Sequence, residues 1–251
     1  MGRRACGCRT WQMRAAAAAA LSPLLLAACQ STPHGGPARP PEAMAPERQA
    51  PAADPATGTP APTGADTIML IRHAEKPQKH REPYGVTVGG ERDAESLTVT
   101  GWQRAGALAE LFDPTQGQIR AGLRVPDRIY ASHTDKTAKG DDGSVSRRPV
   151  ETVTPLAGKL GRKVDQSFGL GQEAALAKAV TAQHGTTLIA WHHGHIPALV
   201  HALGAVRPAV PAKWPDGRFD EVWVFTRDGG TWRFSQVPQL VLAGDTAAPI
   251  S

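Results

Sequence analysis

The sequence predicts an α/β fold: a three-layer sandwich with a mostly parallel sheet and helices on both faces. A continuous apolar run, Ile68–Ile71, suits a strand covered on both sides, and Thr186–Trp191 is a second strongly apolar strand. Segments of helical period alternate with strand-like runs, the pattern of a parallel sheet. Near the end, "EVWVFTR" and "TWRFSQV" flank Asp228-Gly229-Gly230, a hairpin signal that adds an antiparallel edge.

Each element follows from local chemistry. After the first strand, "SLTVTGWQRAGALAELF" sets Val99, Trp102, Ala105, Ala109 and Phe112 at helical spacing, with Thr98 or Thr100 as the N-cap. "DRIYAS" reads as a short strand. "RRPVETVTPLAGKLG" reads as a helix with Pro149 in its first turn and Gly161 near its end. Pro155 is expected to kink or shorten it. "GQEAALAKAVTAQHG" is a helix closed by Gly185, and "IPALVHALG" a short one bounded by Pro197 and Gly204. Trp191, Trp214 and Trp223 read as core or pocket lining, Trp102 on its helix's apolar stripe as core, and His133 and His184 as surface residues.

The chain divides into three parts. Residues 1–28 read as a signal peptide: basic Arg14 precedes an apolar run, Ala15–Ala28, too short for the roughly 20 residues of a membrane span. Leu26-Ala27-Ala28-Cys29 looks like a bacterial lipobox, so Cys29 is expected to be lipidated and to anchor the protein in the cell envelope, with Gln30 favouring the outer membrane facing the periplasm. An ordinary secretory signal cleaved near Ala28 is the alternative, and Met13 is an alternative start. Residues 29–64 read as a disordered tether. From Ser31 to Asp66 there is no aromatic residue and no Leu, Ile or Val, so the segment cannot bury enough apolar surface to fold. The folded domain spans 65–251. All three cysteines, Cys6, Cys8 and Cys29, precede it, which excludes a disulfide or thiolate metal site there. A net charge of +5 without a Lys/Arg block excludes a nucleic-acid groove and leaves room for small anions.

The chemistry concentrates where the apolar strands stop. In "TIMLIRHAEKP" the first strand ends on Arg72-His73, and the second ends on His192-His193. In an open α/β sheet, ligands bind beyond the carboxyl ends of the strands, so both pairs are expected at one crevice. Neutral imidazole is a competent nucleophile near pH 7, and an arginine fork matches phosphate oxygens. Arg72 beside His73 is therefore a clamp beside a nucleophile. His192, His193, His195 and His201 match no standard zinc spacing and have no adjacent acid, so neither metal nor cofactor is expected; His195 reads as a pocket-wall residue.

"LIRHAEKP", "LTVTGWQRAGALAELF", "IYAS" with "RRPVETVTPLAGKLG", and "TLIAWHHGHIPALV" resemble, in order, the histidine phosphatase superfamily with its phosphoglycerate mutase-like fold. The resemblance covers about Thr67 to Gly204. It implies that His73 becomes phosphohistidine, that Arg72 and Arg148 bind phosphate (with Arg147 as fallback), and that His193, or else His192, is the second site histidine. Gly101 would let its helix pack close to the nucleophile strand. Glu173 is the preferred proton donor and Glu75 the alternative. The family often places its second arginine about four residues after the serine, here Ser132. The polar run between Ser132 and Arg148, with Lys136 and Lys139, is a loop insertion or a disordered segment. No mutase-type glutamate motif is visible. The resemblance therefore implies hydrolysis of a phosphorylated small molecule or phosphoprotein. Mutase-like transfer and a non-catalytic phosphate-binding envelope lipoprotein are the alternatives. Oligomeric state is open.

Overall fold

The computed structural model describes residues 65–78, 82–134 and 145–251. The segments expected to be a signal peptide (1–28) and a tether (29–64), with Cys29, Lys136 and Lys139, lie outside the described residues. Among the described residues, seven strands form one mixed sheet in the order β3-β2-β4-β1-β6-β7-β5. In chain order they are β1 (Thr67–Arg72), β2 (Arg128–Ala131), β3 (Val164–Asp165), β4 (Thr186–Trp191), β5 (Val206–Arg207), β6 (Glu221–Asp228) and β7 (Thr231–Pro238). The helices are α1 (Val99–Phe112), α2 (Arg148–Lys159), α3 (Glu173–Thr181) and α4 (Ile196–Ala202). Strands β3, β2, β4 and β1 are parallel, and β6 runs antiparallel to both β1 and β7. The antiparallel hairpin is not the sheet's edge. Two-residue β5 pairs in parallel with β7 outside it, and β3 forms the other edge. Strands this short leave no periodic signature in the sequence.

Every residue of β1 and β4 is buried, as their apolar stretches Ile68–Ile71 and Leu188–Trp191 favour. Side chains alternate along β1, so Ile68 and Leu70 face one layer and Met69 and Ile71 the other. The first layer packs Leu176 and Val180 of α3 and Leu199 of α4 with Trp191 and Trp223. The second packs Leu108 and Phe112 of α1 with Val153 and Leu156 of α2. Trp214, Trp191 and Trp223 are buried in the first layer. Helix α2 runs on through Pro155 rather than stopping before it. The buried stripe Val153, Leu156 and Ala157 offsets the hydrogen bond the proline removes. Helix α3 ends at Thr181, short of Gly185, which instead takes a positive φ of 93° at the start of β4.

Two features fix the strand that carries the site. β1 and β4 pair in parallel with Arg72 opposite Trp191, so both stop at the same level. His73 N–H extends the ladder by donating to the Trp191 carbonyl at 3.0 Å. Helix α1 then starts against the following segment: the Thr98 hydroxyl caps the N–H of Gly101 at 3.1 Å. Gly101 lies so close to Glu75 that a Cβ would stand 2.6 Å from the Glu75 carbonyl oxygen. Any side chain there would push α1 away from the strand end, and the expected role of Gly101 has this physical basis.

Candidate active site

His73 is almost fully buried at the carboxyl end of β1. Its Nδ1 lies 2.8 Å from the Ala74 carbonyl oxygen. A carbonyl only accepts, so Nδ1 carries the proton and Nε2 keeps its lone pair. Burial drives the His73 pKa well below 6.5, with His192, Arg72 and Arg148 adding to the effect and the Ala74 hydrogen bond opposing it. The imidazole is therefore neutral at pH 7, with one nitrogen free to attack.

The two neighbouring histidines of β4 divide. His192 packs edge-on against His73, with ring centroids 5.3 Å apart, and its Nε2 shares a hydrogen bond with the Ser132 hydroxyl at 3.2 Å. Burial first, then Arg148 and the neighbouring imidazoles, push its pKa down to about 3. His193 sits further out, with Nε2 3.3 Å from Asp216 Oδ1, and burial and Arg72 lower its pKa as well. The geometry thus gives the position beside His73 to His192, whereas the Gly194 that follows His193 had favoured His193. In an in-register parallel pair, the residue directly after Trp191 lies level with the residue directly after Arg72.

Two arginines supply positive charge. Arg72 is fully buried, and Nη1 donates to the carbonyls of Pro215 at 3.3 Å, Arg218 at 3.1 Å and Asp216. Its guanidinium lies 3.9 Å from the Phe219 ring centroid. Burial lowers its pKa to about 10, with Asp216 resisting the shift, so it stays cationic at neutral pH. Arg148 opens α2, donates to the Ala94 carbonyl at 3.0 Å and to Glu95 at 3.2 Å, and its charge acts on His73 and His192. Arg147, the fallback, points its charge at Asp93 and is largely exposed. Arg72 Nε, Arg148 Nε and His193 Nδ1 are buried without a hydrogen-bond partner. Of these, the two arginine Nε groups are donors: buried donors lacking acceptors are uncommon, and an anion's oxygens are what such donors fit.

The two glutamates considered as proton donors each accept hydrogen bonds from named partners. Glu173, at the start of α3, accepts on Oε1 from the Trp191 indole and from His195 Nδ1, both at 3.0 Å, and from the Gly171 N–H at 3.2 Å. His195 is thus the partner of Glu173 and not a spare wall residue. Glu75 accepts on Oε1 from Arg104 at 2.8 and 2.9 Å. Sequence reasoning missed Lys76 and Asp216. Lys76 Nζ lies 3.0 Å from Asp216 Oδ1, where Arg72 Nη2 arrives at 3.1 Å. Lys76 stands three residues after His73 in the motif and was legible there. Asp216 reads only as a turn residue in "WPDG". Among the described residues no group of three or more His, Cys, Asp or Glu is arranged to hold a metal ion, and no helix is long and apolar enough to cross a membrane.

The site imprints itself on stability. His73, His192 and His193 bind protons less readily folded than unfolded. Unfolding therefore takes up protons below about pH 6.5, and stability falls as pH drops through the ordinary imidazole range, by up to about 1.4 kcal/mol per pH unit per proton. Glu221 opposes this: burial raises its pKa to about 7, so the folded chain protonates it first on descending pH. Glu151 is also raised, by burial. Three imidazoles outweigh two carboxyls, so the melting temperature is expected to fall from pH 7 to pH 5. A His192→Gln variant should flatten that slope. A melting temperature that rises over this interval would contradict the imidazole assignments.

No protein-family profile matches the chain. No curated protein matches it either. Solved structures do. The protein histidine phosphatase SixA, complexed with tungstate, is similar at 15% identity and a TM-score of 0.44, over 69% of this chain and 97% of that one. A mutant phosphoserine phosphatase from Entamoeba histolytica, in complex with phosphoserine, is similar at 13% identity and a TM-score of 0.40, over 68% and 95%. The mycobacterial glucosyl-3-phosphoglycerate phosphatase, complexed with VO3, is similar at 16% identity and a TM-score of 0.39, over 68% and 96%. Each of these three similar structures is named as that of a phosphatase.

Proposed function

We propose that the protein is a phosphatase that hydrolyses a phosphomonoester, on a small molecule or a protein, through a phosphohistidine at His73. The observation that carries this reading is the state of His73: buried, neutral, its Nδ1 proton held by Ala74, its Nε2 free, with two arginines and a second imidazole around it. In the first step the Nε2 lone pair attacks phosphorus and the bond to the leaving-group oxygen breaks. In the second, water attacks phosphorus and gives a proton back to the group that protonated the leaving oxygen, the phosphorus–nitrogen bond breaks, and orthophosphate leaves. Arg72 and Arg148 balance charge on the phosphoryl oxygens, and His192 contacts them from beside the nucleophile. Glu173 acts through His195, the imidazole it holds, so the leaving-group proton comes from that pair.

A rapid-quench experiment with a labelled aryl phosphate and a chelator tests the reading. We expect turnover to continue with the metal sequestered and a phosphoenzyme that is labile in acid and stable in base, as a phosphorus–nitrogen bond is. Turnover that stops on chelation, or a base-labile acyl phosphate, would overturn it.

A further inference from the structure

Three positively charged or proton-donating groups converge on one oxygen of the protein itself. Asp216 Oδ1 receives Lys76 Nζ at 3.0 Å, Arg72 Nη2 at 3.1 Å and His193 Nε2 at 3.3 Å. This carboxylate is 70% exposed on its side chain, whereas Arg72 is fully buried. Burial does not hold it there; the converging donors do. The hydrogen bond from Lys76 is the main reason its pKa is lowered, so it stays ionised.

The turn that carries it is anchored on both sides. Trp214 packs on Trp223 at 4.8 Å between centroids, and Arg218 pairs with Asp220 at 2.6 Å and Glu221 at 3.2 Å. Between these anchors, Pro215, Asp216 and Gly217 are exposed. A structural tether for Arg72 would not need the carboxylate, because three backbone carbonyls already accept from Nη1. Nor would a tether need Lys76 and His193. What needs a carboxylate, a lysine, an arginine and an imidazole meeting at one point is an anion subsite with an anion in it.

We infer that Asp216 is a built-in occupant of the phosphate subsite, that Lys76 is a further cationic ligand of that subsite, and that the substrate's phosphate binds by displacing the Asp216 carboxylate. This deepens the phosphatase reading and rests on it for the identity of the ligand. It also sets a selectivity. Exchanging one carboxylate charge for another monoanion gains little Coulomb energy, whereas a phosphomonoester brings about −1.5 to −2 charges. The device favours monoesters over phosphodiesters and carboxylates. Asp216 additionally keeps buried Arg72 supplied with a counter-charge until substrate arrives.

The test is calorimetric titration of the full-length protein with orthophosphate, comparing wild type with Asp216→Asn, Asp216→Ser and Lys76→Met. The first two side chains are neutral and sit at an exposed turn, so the fold should accept both, and melting curves check this. We expect both Asp216 variants to bind orthophosphate about tenfold more tightly, and Lys76→Met about tenfold more weakly, each equivalent to about 1.4 kcal/mol. Equal or weaker binding by the Asp216 variants would overturn displacement, and unchanged binding by Lys76→Met would remove Lys76 from the subsite. Because titration needs no turnover, the expected shifts in a protein without phosphatase activity would leave this inference standing and sink only the catalytic reading. An active enzyme lacking the shifts would do the reverse.

Discussion

Replacing His73 by alanine is expected to lower phosphate release by at least about 10³-fold, the scale on which loss of a covalent nucleophile shows in other enzymes. The imidazole makes one side-chain hydrogen bond, to the Ala74 carbonyl next to it, so its removal takes away the attacking nitrogen and little of the framework. Orthophosphate should still bind, because Arg72, Arg148 and Lys76 remain. A second signature belongs to the wild type. Protonating Nε2 would abolish attack, and the His73 pKa lies well below 6.5, so the acid limb of kcat/KM should also lie well below pH 6.5. Activity in the alanine variant within tenfold of wild type would show that another group attacks phosphorus. An acid limb centred at pH 6.5 would show an ordinary, solvated imidazole.

Replacing Arg104 by alanine is expected to destabilise the fold by about 3–5 kcal/mol, the cost of breaking a buried ion pair and stranding its partners. Arg104 is 3% exposed on α1. Its Nη2 donates to Asp245 at 2.7 Å and Glu75 at 2.8 Å, and its Nη1 to Gln239 at 2.9 Å. Burial works against the cation, but the hydrogen bonds to Asp245 and Glu75 outweigh it and raise the Arg104 pKa. Without the guanidinium, Asp245 and Glu75 are left as buried or half-buried carboxylates facing one another. Against a typical total of about 5–15 kcal/mol, the loss is large. Chemical denaturation measures it, and a loss below about 1 kcal/mol would mean the network relaxes onto water. The network also bears on the site, because Glu75 lies two residues after His73 and its carbonyl accepts from Thr98 at 3.0 Å. The same arginine that ties the C-terminal Asp245 to α1 holds the segment after the nucleophile in place.

Much of this was legible in the sequence. The apolar stretches of β1 and β4, the helical spacing of α1 and the Asp228-Gly229-Gly230 turn each carry their information within a few residues, where local propensity and burial act together. Arg72 and His73 were legible for the same reason: they sit where an apolar strand ends, and such ends place residues at the sheet's carboxyl edge, whereas Arg148 was named through the family resemblance. Gly101 was legible only through the family resemblance, and its need for close approach shows in the Glu75 carbonyl oxygen that a Cβ would meet at 2.6 Å.

The tertiary structure decided what depends on contacts far apart in sequence. Whether His192 or His193 faces His73 follows from the register of β1 against β4, and two adjacent histidines carry no internal mark of it. Glu173 joins His195 and Trp191 across 18 to 22 positions, and Arg104 joins Glu75 and Asp245 across 29 and 141. Asp216 reaches Arg72 across 144 positions, and in the sequence it is only the polar residue of a turn. Charge pairing acts through space and leaves no period along the chain. The sequence by itself therefore determined the layers, the strand ends and the chemistry available there, and the folded chain alone decided which charges meet.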